Sequence, residues 1–392
     1  MMVTTEKNQS LVSRITEEFR SIFAEEPLLI RSPGRVNLIG EHTDYNNGFV
    51  LPAAINKAVY LAVSPRQDNK LHIVSLDMGT VYQGDVTQLE KSPLHWPDYL
   101  LGVIDQLQKK GLHIGGLNCV FAGDIPPGSG LSSSAALECA TAYSLNELFQ
   151  LGLDPLTMVK LSQKAENQFV GVQCGIMDQF ASMFGRRNHV IRLDCQSLEY
   201  KYVPFNMDGF RIVLLDTNVK HSLASSEYNT RRQQCEAGVK LVREGLGTPV
   251  HSLREVTLAM LDEFVAPVDP LIYKRCQYVV QENTRLLNAC EDLERGDMSA
   301  FGQRMYGSHE GLSRQYEVSC PELDFLVDHV RPNSGVLGAR MMGGGFGGCT
   351  INLVKEEAVE ELIEQTAPIY AKEMGKELKV YIGQIEEGTS RL

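Results

Sequence analysis

Residues 31–48, RSPGRVNLIGEHTDYNNG, gather Arg35, Glu41, His42 and Asp44 into one short segment punctuated by Gly34 and Gly40. The glycines permit tight backbone bends, and the apolar Val36, Leu38 and Ile39 would anchor the segment so that its polar tip faces a cavity. Carboxylates beside a histidine suit a ligand covered in hydroxyls, because each carboxylate oxygen accepts hydrogen bonds that its charge strengthens. On this segment alone a solvated polar turn remains the alternative. His42 has no second histidine at ligand spacing to pair with on a metal.

A second stretch, GDIPPGSGLSSSAALECATAYSL (123–145), carries different chemistry. A strand ends, two prolines stiffen a turn, Gly128 and Gly130 open the backbone, and Ser132, Ser133 and Ser134 begin an alanine-rich helix. A helix N-terminus presents unpaired N–H groups and the positive end of its dipole, a cradle for phosphate. Serine hydroxyls add donors, and one of them can ligate Mg²⁺. The GK[ST] ending of a Walker A loop is absent, and serine as an ordinary helix cap is the plainer alternative. A third cluster, MMGGGFGGCT (341–350), implies close backbone approach to a ligand or to another segment, or else a bulge or tight turn.

These motifs need a scaffold. Leu11, Ile15, Phe19 and Ile22 recur at helical spacing after Ser10. LLIR (28–31), AVYLAVS (58–64), LHIVSL (71–76), LNCVFAGDI (117–125), VIRLD (190–194), FRIVLLDT (210–217), CTINLV and KVYIGQI read as strands. Helices are expected over 96–110, 133–150, 155–170, 224–245, 270–294, 297–313 and 355–374, with a domain boundary near 200–210. The 392 residues, 43% hydrophobic and 22% charged, suffice for two packed domains. A net charge of -12 disfavours a nucleic-acid-binding face. The nine scattered cysteines lack CxxC or zinc spacing and read as reduced thiols of a cytoplasmic protein. No apolar run is long enough to span a membrane, and the first residues lack a signal pattern.

Taken in order, GRVNLIGEHTDYNNG, PPGSGLSSSAALE, CGIMDQF and MGGGFGGCT resemble the motifs of the GHMP family of small-molecule kinases across nearly the whole chain. Within that family the likeness is to members that phosphorylate galactose. Met342 departs from the pattern, which more often has threonine before the glycines. The resemblance implies an α+β / α/β two-domain fold. Residues 1–205 would form a mixed-sheet domain (ribosomal S5 domain 2-like) and 206–392 a ferredoxin-like α+β domain, with the active site in the cleft between them. It implies transfer of phosphate from MgATP to the C1 hydroxyl of α-D-galactose, the entry step of galactose catabolism (the Leloir pathway), by a protein expected to be monomeric.

It also implies roles. Asp178 would be the catalytic carboxylate at the C1 hydroxyl, orienting it more than abstracting its proton, because an ionised aspartate is a weak base. Arg35 would keep Asp178 ionised and stabilise the transferring phosphoryl group. Glu41, His42, Thr43, Asp44, Gly175 and Tyr228 would form the sugar pocket. Gly128, Ser129, Gly130, Leu131, Ser132, Ser133 and Ser134 would hold ATP phosphates, with Ser75 a further nucleotide contact. Ser134 and Glu166 would ligate Mg²⁺; read without the resemblance, Glu166 is a solvated helix residue. Trp96 and Tyr99 would either flank adenine or pack as a core aromatic pair. Two alternatives remain: a related sugar-1-kinase such as one acting on N-acetylgalactosamine, and a sensor that binds galactose and ATP without chemistry.

Overall fold

The computed structural model describes residues 2–219 and 224–392. A six-stranded sheet runs in the spatial order Ser390–Arg391, Leu28–Asn37, Pro52–Pro65, Leu117–Gly123, Lys70–Ser75, Thr80–Asp85. Lys70–Ser75 pairs parallel with Leu117–Gly123, and the other neighbours are antiparallel. Along Pro52–Pro65 the pleat sends Leu61 and Val63 to the main core and Tyr60 and Ala62 to the opposite face. The helix Met2–Phe23 covers that opposite face through the fully buried Ile15 and Phe19. Ile22, expected on its apolar stripe, is exposed, and its neighbour Phe23 packs on the sheet instead.

A four-stranded sheet orders Val336–Met341, Cys349–Lys355, Phe210–Asp216, Lys379–Gly383, all antiparallel. Helices Ala224–Leu246 and Pro270–Glu294 pack together over a separate apolar cluster that includes Val242, Leu261, Cys276 and Tyr278. A third sheet, Phe49–Val50, His189–Asp194, Tyr200–Pro204, lies between these parts of the chain. The main core runs from Ile30 and Leu61 through Leu101 and Leu145 to Leu214 and Ile351, so both large sheets share it.

Sequence reading placed most long elements within a few residues. It missed Thr80–Asp85 and Tyr200–Pro204, which carry few apolar residues, Val336–Met341, interrupted by Gly338, and the two-residue Ser390–Arg391. It also missed the short helices Met177–Phe184, Leu258–Phe264 and Pro321–Val330. Two expected helices change pitch. Pro155–Lys164 continues as a π-helical turn Ala165–Val170, and Met298–Glu310 as another, Gly311–Tyr316. Such turns recur at functional sites, and both carry residues that matter below.

Candidate active site

Arg35 sits near the end of strand Leu28–Asn37, just after a register shift between Pro33 and Arg35. Gly34 is the residue at that register shift. It lies within the strand, where an added Cβ would come 2.5 Å from the Leu131 carbonyl oxygen. That close approach brings the phosphate loop onto the strand, and Arg35 N donates to Leu131 O at 3.1 Å.

Asp178, in the first turn of helix Met177–Phe184, meets Arg35 as a two-pronged pair. Arg35 Nε and Nη2 donate to Asp178 Oδ1 and Oδ2 at 2.8 and 2.7 Å, and Nη1 donates to Gly130 O at 2.6 Å. Burial works against the guanidinium charge, but the Asp178 carboxylate outweighs it and the Arg35 pKa is raised. Ser132 Oγ donates to Asp178 Oδ2 at 2.5 Å. Its backbone is left-handed and its hydroxyl caps no helix N–H, so the ordinary capping role does not apply to this serine. One guanidinium thus ties together the first motif, the phosphate loop and the carboxylate.

On one side of that pair lies a cavity of about 460 Å³ lined by Arg35, Glu41, His42, Asp44, Gly175, Asp178, Tyr228, Gly343 and Gly344. Asp44 packs against Gly175, where an added Cβ would fall 2.1 Å from Asp44 Oδ2. Burial, reinforced by the charges of Asp178 and Glu41, pushes the Asp44 carboxyl up to about 6. Glu41 Oε1 accepts from Arg340 Nη2 at 3.0 Å and from Gly343 N at 2.9 Å, so the first and third motifs are joined through it. Arg340 is fully buried and also donates from Nε to Leu38 O at 2.7 Å. Thr43 is buried, with Oγ1 2.8 Å from Gly40 O and 2.5 Å from Phe49 O; its hydroxyl braces the turn from within and is not on the cavity wall.

A second, smaller cavity of about 200 Å³ is lined by Val59, Ser75, Asp77, Met78, Trp96, Tyr99, Phe121, Ile125, Ser133, Ser134 and Leu137, its two helix-start serines following the Ser132 that bonds Asp178. Trp96 and Tyr99 therefore share one wall with the start of the phosphate-loop helix. Trp96 Nε1 donates to Thr80 Oγ1 at 3.1 Å, which fixes the indole. The glycines of the third motif form the loop between strands Val336–Met341 and Cys349–Lys355, and Cys349 Sγ reaches Ser129 O at 3.2 Å.

Glu166 lies on the π-helical turn and is buried, not solvated. Its Oε2 accepts from Gln179 Nε2 at 2.7 Å and from Cys174 Sγ at 3.2 Å, and burial raises its pKa while the nearby Ser134 hydroxyl works against that rise. Gln179 Nε2 also donates to Glu138 Oε2 at 2.9 Å. Among the described residues Glu138 Oε1 is buried without a partner. Oxygen donors with uncompensated negative charge fit a hard divalent cation. Glu138, Gln179 and Arg340 were not anticipated. Glu138 is one turn after Ser134 on helix Ser133–Leu148, and that i, i+4 spacing was the available signal.

The chain resembles known proteins over nearly its whole length. The galactokinase galactose-binding signature matches residues 17–65, the GHMP kinases N terminal domain 98–186 and the GHMP kinases C terminal region 289–368. The galactokinase of Thermotoga petrophila is 42% identical over 93% of this chain and 99% of its own length. The chain belongs to the galactokinase family. The galactokinase of Clostridium acetobutylicum is likewise 42% identical, over 97% of this chain and 99% of its own. The crystal structure of Lactococcus lactis galactokinase complexed with galactose superposes with a TM-score of 0.92 at 37% identity, covering 97% of this chain and 100% of that one. Mevalonate kinase of Methanococcus jannaschii, at 17% identity and a TM-score of 0.65, shares the fold. The signature spanning residues 17–65 contains the segment from Arg35 to Asp44 that borders the larger cavity.

Proposed function

We propose that the chain transfers the terminal phosphoryl group of MgATP to the C1 hydroxyl of α-D-galactose, giving galactose 1-phosphate and ADP. The observation that carries this reading is the Arg35–Asp178 pair in the wall of the larger, carboxylate-lined cavity, tied through Gly130 and Ser132 to the loop whose Ser133 and Ser134 line the smaller, mostly apolar one. Galactose takes the first, with Asp44, Glu41, His42, Gly175 and Tyr228 around its hydroxyls. ATP takes the second, its base near Trp96 and Tyr99 with Ser75 behind, and its phosphates on the backbone N–H groups of 128–134.

Asp178 accepts a hydrogen bond from the C1 hydroxyl and takes its proton as the new O–P bond forms and the bond to the ADP oxygen breaks. Both of its oxygens are already engaged, by Arg35 and Ser132. The lone pairs that remain point in restricted directions, so its larger contribution is to aim the attacking oxygen. Arg35, anchored at Gly130 O, spreads positive charge over the phosphoryl oxygens as negative charge develops there. Ser134 and Glu166 would hold Mg²⁺, with Glu138 and Gln179 behind them, and the bound ion would supply positive charge against the phosphates.

The chain is read as two lobes that divide near residue 205 and flank this site, with the C-terminal strand Ser390–Arg391 returning to the sheet of the first lobe. Among the described residues no helix is long and apolar enough to cross a membrane; cytoplasmic location and a monomeric state are part of the proposal. The test is a panel of hexoses with ATP and Mg²⁺, following ADP release. Turnover on galactose with little on glucose, mannose or N-acetylgalactosamine supports the reading. Equal turnover on N-acetylgalactosamine contradicts the galactose assignment, and ligand binding with no ADP release contradicts catalysis.

A further inference from the structure

His42 lines the larger cavity with a left-handed backbone, φ 62°. Burial pushes its pKa down to about 4, so the imidazole is neutral near pH 7. A neutral imidazole has one donor and one acceptor nitrogen, and the two tautomers offer a ligand hydroxyl opposite groups. Some feature of the protein must choose between them.

The Nδ1 atom lies 2.8 Å from Tyr45 Oη, which lies 2.8 Å from Tyr316 Oη, which lies 3.2 Å from Cys235 Sγ. Every member but Tyr45 is classed as buried, and Tyr45 is half-buried. Each hydroxyl carries one proton, so a direction set at one link sets the others. If the ring donated from Nδ1, the row would run to a phenol proton on the Cys235 sulfur, a weak acceptor even though Cys276 and Asn46 also lie beside it. The Nε2 lone pair would then face a buried space where no described residue donates to it. In the opposite direction the thiol donates to Tyr316, Tyr316 to Tyr45, and Tyr45 to Nδ1, which puts a phenol proton on the strongest acceptor in the row. Nε2 then carries the proton. That N–H has no partner among the described residues, although the Gly344 backbone favours a protonated ring.

The relay is firmly held. Tyr316 closes the π-helical turn Gly311–Tyr316, its carbonyl accepts from Arg231 Nε at 2.7 Å, and its ring packs 4.8 Å from Tyr278 and 4.9 Å from His42. Tyr278 Oη donates to Glu41 O at 3.1 Å, which fixes the backbone next to His42. Cys235 and Tyr278 lie on helices Ala224–Leu246 and Pro270–Glu294, so the helical part of the molecule governs a side chain of the first motif.

We propose that Cys235, Tyr316 and Tyr45 are positioning residues that lock His42 as the Nε2–H tautomer, so that the sugar cavity presents a donor to a galactose hydroxyl oxygen at that point. This rests on the reading of the larger cavity as the sugar site, and the experiment separates the two. In ¹⁵N-histidine-labelled, ligand-free protein, His42 should show an unprotonated Nδ1 and a protonated Nε2. Tyr45→Phe keeps the ring but removes the hydrogen bond donated to Nδ1; it should shift the ring towards a tautomer mixture and raise the galactose KM about 5- to 20-fold, leaving the ATP KM and kcat within about twofold. Tyr316→Phe should act in the same direction but less, and the double variant should be no worse than Tyr45→Phe, because both cut one chain. Cys235→Ser, which keeps a donor, should stay near wild type. A wild-type Nδ1–H tautomer overturns the proposal, and so does an unchanged tautomer or an unchanged galactose KM in folded Tyr45→Phe. If the tautomer pattern holds while no hexose is turned over, the functional reading fails and the relay stands.

Discussion

The two cavities beside the Arg35–Asp178 pair are built on opposite principles. The larger is walled by Glu41, His42, Asp44 and Asp178, and burial there pushes the Asp44 pKa up and the His42 pKa down. The smaller is walled mainly by Val59, Met78, Trp96, Phe121, Ile125 and Leu137, with serines at one end. A polar wall discriminates between hydroxyl patterns, because a missing partner leaves a buried polar group unpaired. An apolar slot holds a flat base by contact, with little penalty for small changes. Selectivity should therefore be concentrated on the first side and tolerance on the second.

The sharpest break should come at the shared pair. Asp178→Asn should lower kcat by about 10³-fold or more while leaving ATP affinity within a few-fold, since the carboxylate lines the larger cavity and not the smaller one. Single-turnover kinetics with ATP titration checks both halves. Arg35→Lys should lower kcat by about 10²-fold, because an ammonium cannot reproduce the two-pronged contact to Asp178 and the third bond to Gly130. Wild-type turnover in that variant would make Arg35 structural only.

Gly175→Ala should raise the galactose KM about tenfold or more and leave the ATP KM unchanged, because the new methyl falls on Asp44 Oδ2. Steady-state titration of each substrate reads the split. Met78→Ala tests the tolerant side. Met78 is exposed yet lines the smaller cavity, so its loss should raise the ATP KM only about two- to fivefold, with galactose kinetics unchanged. A larger effect on galactose than on ATP would reverse the assignment of the two cavities.

The smallest effect concerns pH and stability. Asp44, raised from 3.8 to about 6, lets the native state hold its proton longer than the unfolded chain does, so the native state loses stability as pH rises from about 4 to about 6. His42, lowered from 6.5 to about 4, acts in the opposite sense over nearly the same window: the native state loses stability as pH falls through it. The two slopes oppose each other in wild type. Asp44→Asn removes the first. It should raise the melting midpoint above pH 6 by about 2–6 °C, with the gain vanishing near pH 4, while weakening galactose binding at every pH. Melting curves from pH 4 to 8 check the sign.

The same contrast explains what was legible in the sequence. The polar side was largely readable, since Arg35, Glu41, His42 and Asp44 are nearly consecutive and the phosphate loop is one continuous segment. The apolar slot was readable only as Trp96 and Tyr99 with an undecided role, because its wall comes from several separate elements. What was missed is what sequence distance hides. Arg340 is 299 residues from the Glu41 it holds, and Tyr316 is 271 from Tyr45. A fully buried arginine or a histidine-setting tyrosine carries no local signature. Glu166 read as solvated because its π-helical turn, which buries it against Gln179, is a departure from helical periodicity that the pattern cannot show.

The central claim is that one carboxylate–guanidinium pair joins a sugar site to a nucleotide site. A crystal structure with galactose and a non-hydrolysable MgATP analogue tests it most directly. The C1 hydroxyl should lie within hydrogen-bonding distance of Asp178 and face the terminal phosphate, with the base beside Trp96 and Tyr99. A sugar whose C1 points away from Asp178, or a nucleotide seated outside the smaller cavity, would contradict the account.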